Sequence, residues 1–477
     1  MSKGTTIISD LRSFFSENEN NRAINAIMRV MECIKIRPDQ IGTEKKENCK
    51  FTNVQVLNLL VLFPFFVVRN AYRYSGSSLS RLFCCEKDMF YRFMNDGNIK
   101  WRKLLYAMNL QLLRKICHST EAEHDKPVCL IIDDTDAPKS GRKSELIGKV
   151  FSHLEHKTIL GYKCLTLLLS DGMSQLFLDF SLHGEEGRKP DKKQGLTDKQ
   201  RKARYSKDHS GEAVEERVRE YTMSKIEKAI EMVKHAIKRG VRFDYLLIDS
   251  WFTCADFVRL ITSRHIKCHL IGMIKMGNTK YHTQWGDLTA NRIIKKLQKQ
   301  GLTKHNRTLR CTYCTIDVKF AGTTVRLFFS KRGRNGHWNG LLTTDLSLSF
   351  LKAYRTYANR WTTEVAYHDC KQLLDFGRCQ SVHFSAQIAS FTLTMMQYNI
   401  LCTVKRFEAY ETIGALFRET TTDTLELSAS DRIWELILDT ILEIAEIISA
   451  DASELLSAVI DANPKFHKLY QMYKLVA

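Results

Sequence analysis

Apolar residues recur at helical spacing through the first 120 residues of the chain, over Ser9–Ile36 and again over Val54–Tyr74. Gly76–Asn95 (GSSLSRLFCCEKDMFYRFMN) then reads as two short helices with a turn near Cys85–Lys87. Basic and aromatic residues cluster there and just beyond: Tyr91, Arg92, Lys100, Trp101, Arg102 and Lys103. Two readings are open for this segment. One is a helix-turn-helix whose second helix enters a DNA groove; the other is an ordinary helical pair with a solvated basic face.

The pattern changes after Lys126 and Pro127. Val128–Asp133 is a continuous apolar run ending in carboxylates, as expected of a strand buried on both faces. Gly161–Leu169 and Gln175–Leu182 follow as two more strands, joined by the turn signal Ser170–Asp171–Gly172. Glu212–Gly240 reads as one long helix with an apolar stripe through Met223, Ile226, Ile230, Val233 and Ile237, and Gly240 at its C-terminal cap. Phe243–Ile248 is another apolar strand that runs into Asp249, followed by a helix over Cys254–Arg264 and a strand over Ile266–Ile274. Open α/β sheets place their chemistry at the C-terminal ends of strands, and two buried strands here each end in Asp. The order of elements predicts an α/β protein with a ribonuclease-H-like core.

Residues 276–345 break this pattern. Alternation over Thr308–Phe320, Thr323–Ser330 and Gly340–Thr344 predicts a β-rich insertion, with Gly-rich basic turns such as Lys331–Gly336. Ser347–Phe376 returns to helix, residues 386–450 hold two or more further helices, and the tail beyond Asn463 is helical or loose. The expected division is a helical N-terminal DNA-binding domain over residues 1–120 and a catalytic core over 121–275 and 346–385. A β-strand insertion domain over 276–345 and a helical C-terminal region over 386–477 complete it.

Charge adds a partner to this picture. The formal net charge is +19, from 72 Lys and Arg against 53 Asp and Glu, and such a charge attracts polyanions at long range. Nucleic acid is the leading candidate, because phosphate neutralisation dominates its affinity for proteins. The polar stretch Gly187–Gly211 alone carries nine Lys or Arg against three Asp, and reads as a loop that serves either DNA contact or solubility. Fourteen cysteines form no framework, which points to reduced thiols in a reducing compartment; Cys311 and Cys314 make one CxxC with no second ligand pair at zinc-site spacing. The N-terminus lacks a signal-peptide core, and the longest apolar run, Val56–Val68, is broken by Asn58 and Pro64. A bilayer needs roughly 20 apolar residues, so a cytoplasmic protein without membrane contact is expected. No GxxxxGK[ST] loop occurs, so no nucleoside triphosphate use is expected.

The candidate chemistry lies in three acidic residues far apart in the chain, Asp134, Asp249 and Glu364. Hard divalent cations such as Mg²⁺ take carboxylate oxygens, and two ions about 3.5–4 Å apart can activate a nucleophile and stabilise a leaving oxygen in phosphoryl transfer. Carboxylates that converge without a cation repel one another or take raised pKa values. Alternation along a strand sends Asp133 and Asp134 to opposite faces, so only one of them can join Asp249; Asp136 shares the face of Asp134. On the helix that follows, Tyr357, Arg360, Glu364 and Lys371 fall within an arc of about 60° at 100° per residue, with His368 at its edge. One stripe thus offers a phenol, a guanidinium, a carboxylate and an ammonium. A solvated face with an Arg360–Glu364 pair is the plainer reading of the helix alone; the two strand-end aspartates favour a site.

The spacing Tyr357-x2-Arg360-x3-Glu364-x6-Lys371 resembles the Y-(2)-R-(3)-E-(6)-K signature of the IS4 family of bacterial insertion-sequence transposases. Ile131–Gly141 (IIDDTDAPKSG) is similar to that family's Asp-Thr motif, and Leu246–Phe252 (LLIDSWF) to its second-Asp motif, with Ser250 and Trp251 departing from the usual small residue before an aromatic. The resemblance spans roughly residues 125–385. It implies a DDE transposase in which Asp134, Asp249 and Glu364 bind two Mg²⁺ ions (Mn²⁺ as substitute) and Tyr357, Arg360 and Lys371 contact phosphates of double-stranded DNA. It further implies cleavage at the element's ends through a hairpin, strand transfer into target DNA, a homodimer in the DNA complex, and a bacterial, nucleoid-associated setting. A Trp that stacks on a flipped base is expected at Trp338, with Trp285 as the competitor. Two other functions stay open: a nuclease of the same fold without strand transfer, and a DNA-binding protein without catalysis.

Replacing the lysines of Gly187–Gly211 with Ala is expected to weaken DNA binding and to flatten the slope of log affinity against log salt, by about 0.9 for each phosphate no longer neutralised. Titration of DNA binding between low and high salt checks this; an unchanged slope makes the stretch a solubility feature.

Overall fold

A computed structural model of the chain describes residues 7–16, 21–43, 49–118, 126–153, 155–185, 195–206, 209–264, 266–333, 335–448 and 452–463. Much of the basic stretch Gly187–Gly211, at 187–194 and 207–208, and the tail at 464–477 lie outside the described residues.

Helices come first: α1 (Ile7–Ser16), α2 (Arg22–Glu32), α3 (Pro38–Ile41), α4 (Asn53–Leu62), α5 (Ser78–Leu82), α6 (Lys87–Asn95) and α7 (Trp101–His118). The expected helix over Val54–Tyr74 stops at Leu62, because Pro64 cannot donate to the ladder and the chain tightens into 3₁₀ turns at Phe63–Phe66 and Ala71–Gly76. Four strands follow: β1 (Cys129–Pro138), β2 (Gly148–Ser152), β3 (Lys157–Ser170) and β4 (Gln175–His183). Next come α8 (Asp198–Ala203), α9 (Glu212–Glu220), α10 (Lys225–Lys238), β5 (Tyr245–Ile248), α11 (Ala255–Ile261) and β6 (His269–Ile274). The expected single helix over Glu212–Gly240 is two. Thr222 and Met223 close a tight turn on Arg219 and Glu220, and Ser224 restarts the helix by accepting the Glu227 N–H.

Residues 276–345 supply β7 (Lys280–Thr283), β8 (Gly286–Thr289), α12 (Ala290–Lys299), β9 (Lys304–Asn306), β10 (Cys311–Phe320), β11 (Thr323–Arg332) and β12 (Asn339–Thr343). Then follow α13 (Phe350–Ala358), a 3₁₀ turn at Asn359–Trp361, α14 (Thr362–Leu373), α15 (Phe384–Phe407), α16 (Ile413–Ile448) and α17 (Ala452–Ala462). No helix among the described residues is long and apolar enough to cross a membrane.

The chain divides into two compact units. The first comprises Met1–Leu112, Lys207–Val214 and Asp369–Ala477. It is built around α15, which is buried on all sides along most of its length, as expected of a helix without a polar face. Its buried polar groups are paired: the Gln397 amide donates to the carbonyls of Leu60 and Val61, and the Asn399 amide to Asn109 Oδ1 at 2.7 Å.

The second unit comprises Leu113–Ser206 and Glu215–His368. Among its described residues, twelve strands form one mixed sheet in the order β2-β3-β1-β5-β6-β12-β11-β10-β7-β8, with β4 also on β3 and β9 on β10. β1 is antiparallel to β3 and parallel to β5, and β5 is parallel to β6. The alternating segments of 276–345 continue this same sheet, because β12 pairs antiparallel with β6. The protein is therefore a mixed α/β fold with one large sheet and covering helices. β1 runs longer than its apolar stretch: antiparallel pairing with β3 carries it through Asp133, Asp134 and Asp136 to Pro138.

At the end of that ladder Gly161 pairs with both Pro138 and Gly148, and a Cβ there would lie 2.3 Å from the Ala137 carbonyl oxygen. Gly161→Ala is expected to lower stability by about 1–3 kcal/mol through overpacking. Gly141→Ala, where a Cβ meets open space, is expected to change nothing; thermal unfolding of both variants checks the contrast.

Candidate active site

The register of β1 against β5 places the first two acidic positions. Ile132 lies opposite Ile248 and the parallel ladder stops there. Asp133 and Asp249 are the next residues on adjacent strands, whose axes lie about 4.8 Å apart. Side chains alternate along β1, and the contacts on either side identify the faces. On one, Asn359 reaches Cys129 Sγ, Arg360 donates from Nη1 to Asp133 Oδ2 at 2.9 Å, and the Tyr367 phenol bonds the Thr166 hydroxyl across from Asp133. This is the face of α13 and α14. On the other, Lys225, the first residue of α10, holds Asp134 Oδ2 at 2.7 Å, and Lys163 pairs with Asp136. Asp133 therefore faces the helix that carries Glu364, while Asp134 is engaged from α10.

Asp249 sits at the head of a tight turn. Its Oδ1 accepts the N–H groups of Trp251 at 2.8 Å and Phe252 at 3.0 Å, and its carbonyl accepts the Thr253 hydroxyl at 2.8 Å. Closing that turn needs room on β6. Gly272 lies beside Ile248, and a Cβ there would come within 2.4 Å of Thr253 Oγ1.

The Arg360 guanidinium spans two carboxylates, reaching Asp133 Oδ2 through Nη1 and Glu364 Oε1 through Nη2, both at 2.9 Å. Burial pushes the Asp133 carboxyl up to about 7; Arg360 pulls it down, and Asp134 and Asp249 push it further up. For Arg360, burial alone would favour the neutral form, but Tyr357, Asp133 and Glu364 outweigh it and its pKa is raised. Glu364 is more open, with 41% of its side chain exposed. Tyr357 is buried and donates to the Ile248 carbonyl at 3.3 Å, clamping the end of β5 to α13. Among the described residues no three His, Cys, Asp or Glu side chains gather closely enough to hold a metal ion. What the site offers is an all-oxygen donor set with a guanidinium across two of its members.

The remaining expected residues lie elsewhere. The single stripe expected for Tyr357–Lys371 assumes one straight helix. A 3₁₀ turn at Asn359–Trp361 tightens the stretch, yet the Arg360 guanidinium still faces both the buried Tyr357 phenol and the half-open Glu364 carboxylate. Lys371, half-buried on the last turn of α14, belongs to the first unit, and His368 is exposed. Trp338 and Trp285 are both half-buried, with the Lys331 and Lys296 ammonium groups over their respective rings at 5.5 Å. Cys311 and Cys314 are buried free thiols on β10. Sequence reasoning missed Lys225, hidden inside what read as a continuous helix, and the exposure of Trp251 and Trp361, at 40% and 62%.

Residues 81–284 match the DDE superfamily endonuclease family. The matched stretch holds β1 and β5, with Asp133, Asp134 and Asp249, and ends before Glu364. No curated protein matches the chain. Among solved structures, a chain in the cryo-EM structure of the piggyBac transposase synaptic complex with hairpin DNA superposes with a TM-score of 0.45 at 12% identity, over 83% of this chain and 80% of that one.

Gly272→Ala is expected to push Thr253 off the Asp249 carbonyl and loosen the turn. Amide exchange at Trp251 and Phe252 should rise, and any activity that depends on Asp249 should fall, on the order of 100-fold for a displacement of about 1 Å. Hydrogen-exchange mass spectrometry of the 245–255 segment checks it.

Proposed function

We propose that the chain is a DNA transposase, cutting DNA at the ends of an insertion sequence and joining it to target DNA by phosphoryl transfer. The observation that carries this reading is the meeting of Asp133 with Asp249 by strand register and with Glu364 through Arg360. The DDE superfamily endonuclease match supports it over residues 81–284. The sheet order β4-β3-β1-β5-β6, three strands antiparallel and the last three parallel, supports the ribonuclease-H-like reading of the core. The Y-(2)-R-(3)-E-(6)-K spacing supports a place near the IS4 transposases.

Asp133, Asp249 and Glu364 would hold the divalent ions, Mg²⁺ or Mn²⁺. The motif resemblance points to Asp134 as the first ligand; register and the shared guanidinium favour Asp133. The donor types suit a hard divalent ion, all carboxylate oxygens, one of them on a carboxyl whose ionisation burial opposes and a nearby cation favours; holding the ion would draw the three closer than they stand among the described residues. When bound, the ions supply the Lewis acidity that phosphoryl transfer needs. The chain's own residues do the rest. The turn at Asp249 fixes one carboxylate by two backbone N–H groups. Tyr357 fixes the end of β5 on which that turn is built. Arg360 keeps Asp133 and Glu364 together in the absence of metal, and its fork matches a phosphate as well as a carboxylate.

A nuclease without strand transfer is the second reading, favoured by the endonuclease description of the matched family. DNA flanking the gene, offered both intact and pre-cut with a free 3′-OH, separates the two. Joined product supports transposition, and cleavage without joining supports the nuclease. Asp133→Asn, Asp249→Asn and Glu364→Gln are expected to bring cleavage and joining to background while leaving DNA binding in place, as chelation of the metal should. Asp134→Asn is expected to retain measurable cleavage. An active Asp133→Asn beside a dead Asp134→Asn moves the first ligand to Asp134, and an undiminished Glu364→Gln overturns the site.

A further inference from the structure

We infer that Trp251 is a stacking shelf for a nucleobase of the DNA strand beside the reacting phosphate, and that Lys225 and Asp134 hold the shelf in place. The inference rests on the DNA-cutting role proposed above and adds a binding group to it. Trp251 rides on the same turn as the acidic site, since its backbone N–H donates to Asp249 Oδ1 at 2.8 Å. Its indole keeps 40% of its surface exposed, although the next residue, Phe252, is fully buried and meets it edge-on at 4.9 Å.

The ring is also braced. The Lys225 ammonium lies 4.4 Å from its centroid, a cation–π contact. The same ammonium holds Asp134 Oδ2 at 2.7 Å, and both partners of that ion pair are only 23% exposed. Lys225 opens α10, whose N-cap Ser224 accepts the Glu227 N–H, so the lysine's backbone is anchored at a capped helix end. Asp134, Lys225 and Trp251 thus form a linked support running from β1 through α10 to the Asp249 turn.

The chemistry of this shelf selects its ligand. A flat, half-exposed aromatic surface takes the face of a base without regard to its sequence. The Lys225 ammonium, paired with Asp134, offsets carboxylate charge that would otherwise repel the DNA backbone. A nucleotide presents both features together. Asp134 then serves the reaction by positioning Lys225, which accounts for a second aspartate next to Asp133 on the opposite face of the strand.

The test uses the full-length protein and duplexes of the gene-flanking DNA, with the cut position first mapped for the wild type. Trp251→Ala is expected to slow cleavage of intact duplex on the order of tenfold or more, with Trp251→Phe less impaired. An abasic nucleotide next to the cut should cost the wild type a similar factor and cost Trp251→Ala nothing further. As a readout apart from activity, 2-aminopurine at that nucleotide should be quenched on binding to the wild type. The quenching should be lost with Trp251→Ala and reduced with Lys225→Met or Asp134→Asn. Equal losses for Trp251→Ala on intact and abasic DNA, or unchanged quenching, would overturn the shelf. A wild-type protein that cuts no DNA rejects the proposed function itself and takes the shelf with it.

Discussion

The parallel ladder between β1 and β5 ends at the Ile132–Ile248 pair, and the placing of the acidic residues of the candidate site depends on that ending. Apolar side chains on both strands keep the ladder buried up to this pair, and the next residue on each strand is a carboxylate. Because neighbouring parallel strands in register send matched residues to one face, Asp133 and Asp249 are set side by side before any helix is added. Two like charges about 5 Å apart repel by roughly 3 kcal/mol at an effective dielectric of 20. The fold must therefore supply a cation, and Arg360 is the cation it supplies from its own chain.

That requirement explains the rest of the neighbourhood. Arg360 also holds Glu364, so one guanidinium draws the third acidic residue, from a helix more than a hundred positions downstream, toward the strand ends. Tyr357 ties the same stretch of helix to the Ile248 carbonyl. Gly272 leaves space for Thr253 to close the turn on Asp249. Each of these contacts fixes a backbone or side-chain position near an acidic group, the kind of support a site needs when its function depends on holding like charges close.

The opposite face of β1 has a different purpose. Asp134 and Asp136 are each taken up by a lysine, Lys225 and Lys163, so the charged end of the strand is neutralised on both sides. Two adjacent aspartates thus have different partners on different faces, Arg360 for Asp133 and Lys225 for Asp134.

Much of this was legible in the chain's pattern. The apolar runs ending in Asp, the alternating segments at 308–344 and the helical stripes are local, and local pattern is what sequence carries directly. So were the acidic residues and the Tyr357–Lys371 spacing, because each is a matter of residue type and offset. What the pattern could not decide was register. Alternation says that Asp133 and Asp134 diverge, but only the pairing of β1 with β5 says which of them meets Asp249. The same holds for the break at Thr222–Met223, where capping and packing overrode a continuous helical period, and for Lys225, whose partners come from β1 and from the Asp249 turn. Sequence determined which chemical groups the protein owns and which segments are strand or helix. Tertiary structure alone decided which groups share a face, because that depends on hydrogen-bond ladders between segments distant along the chain.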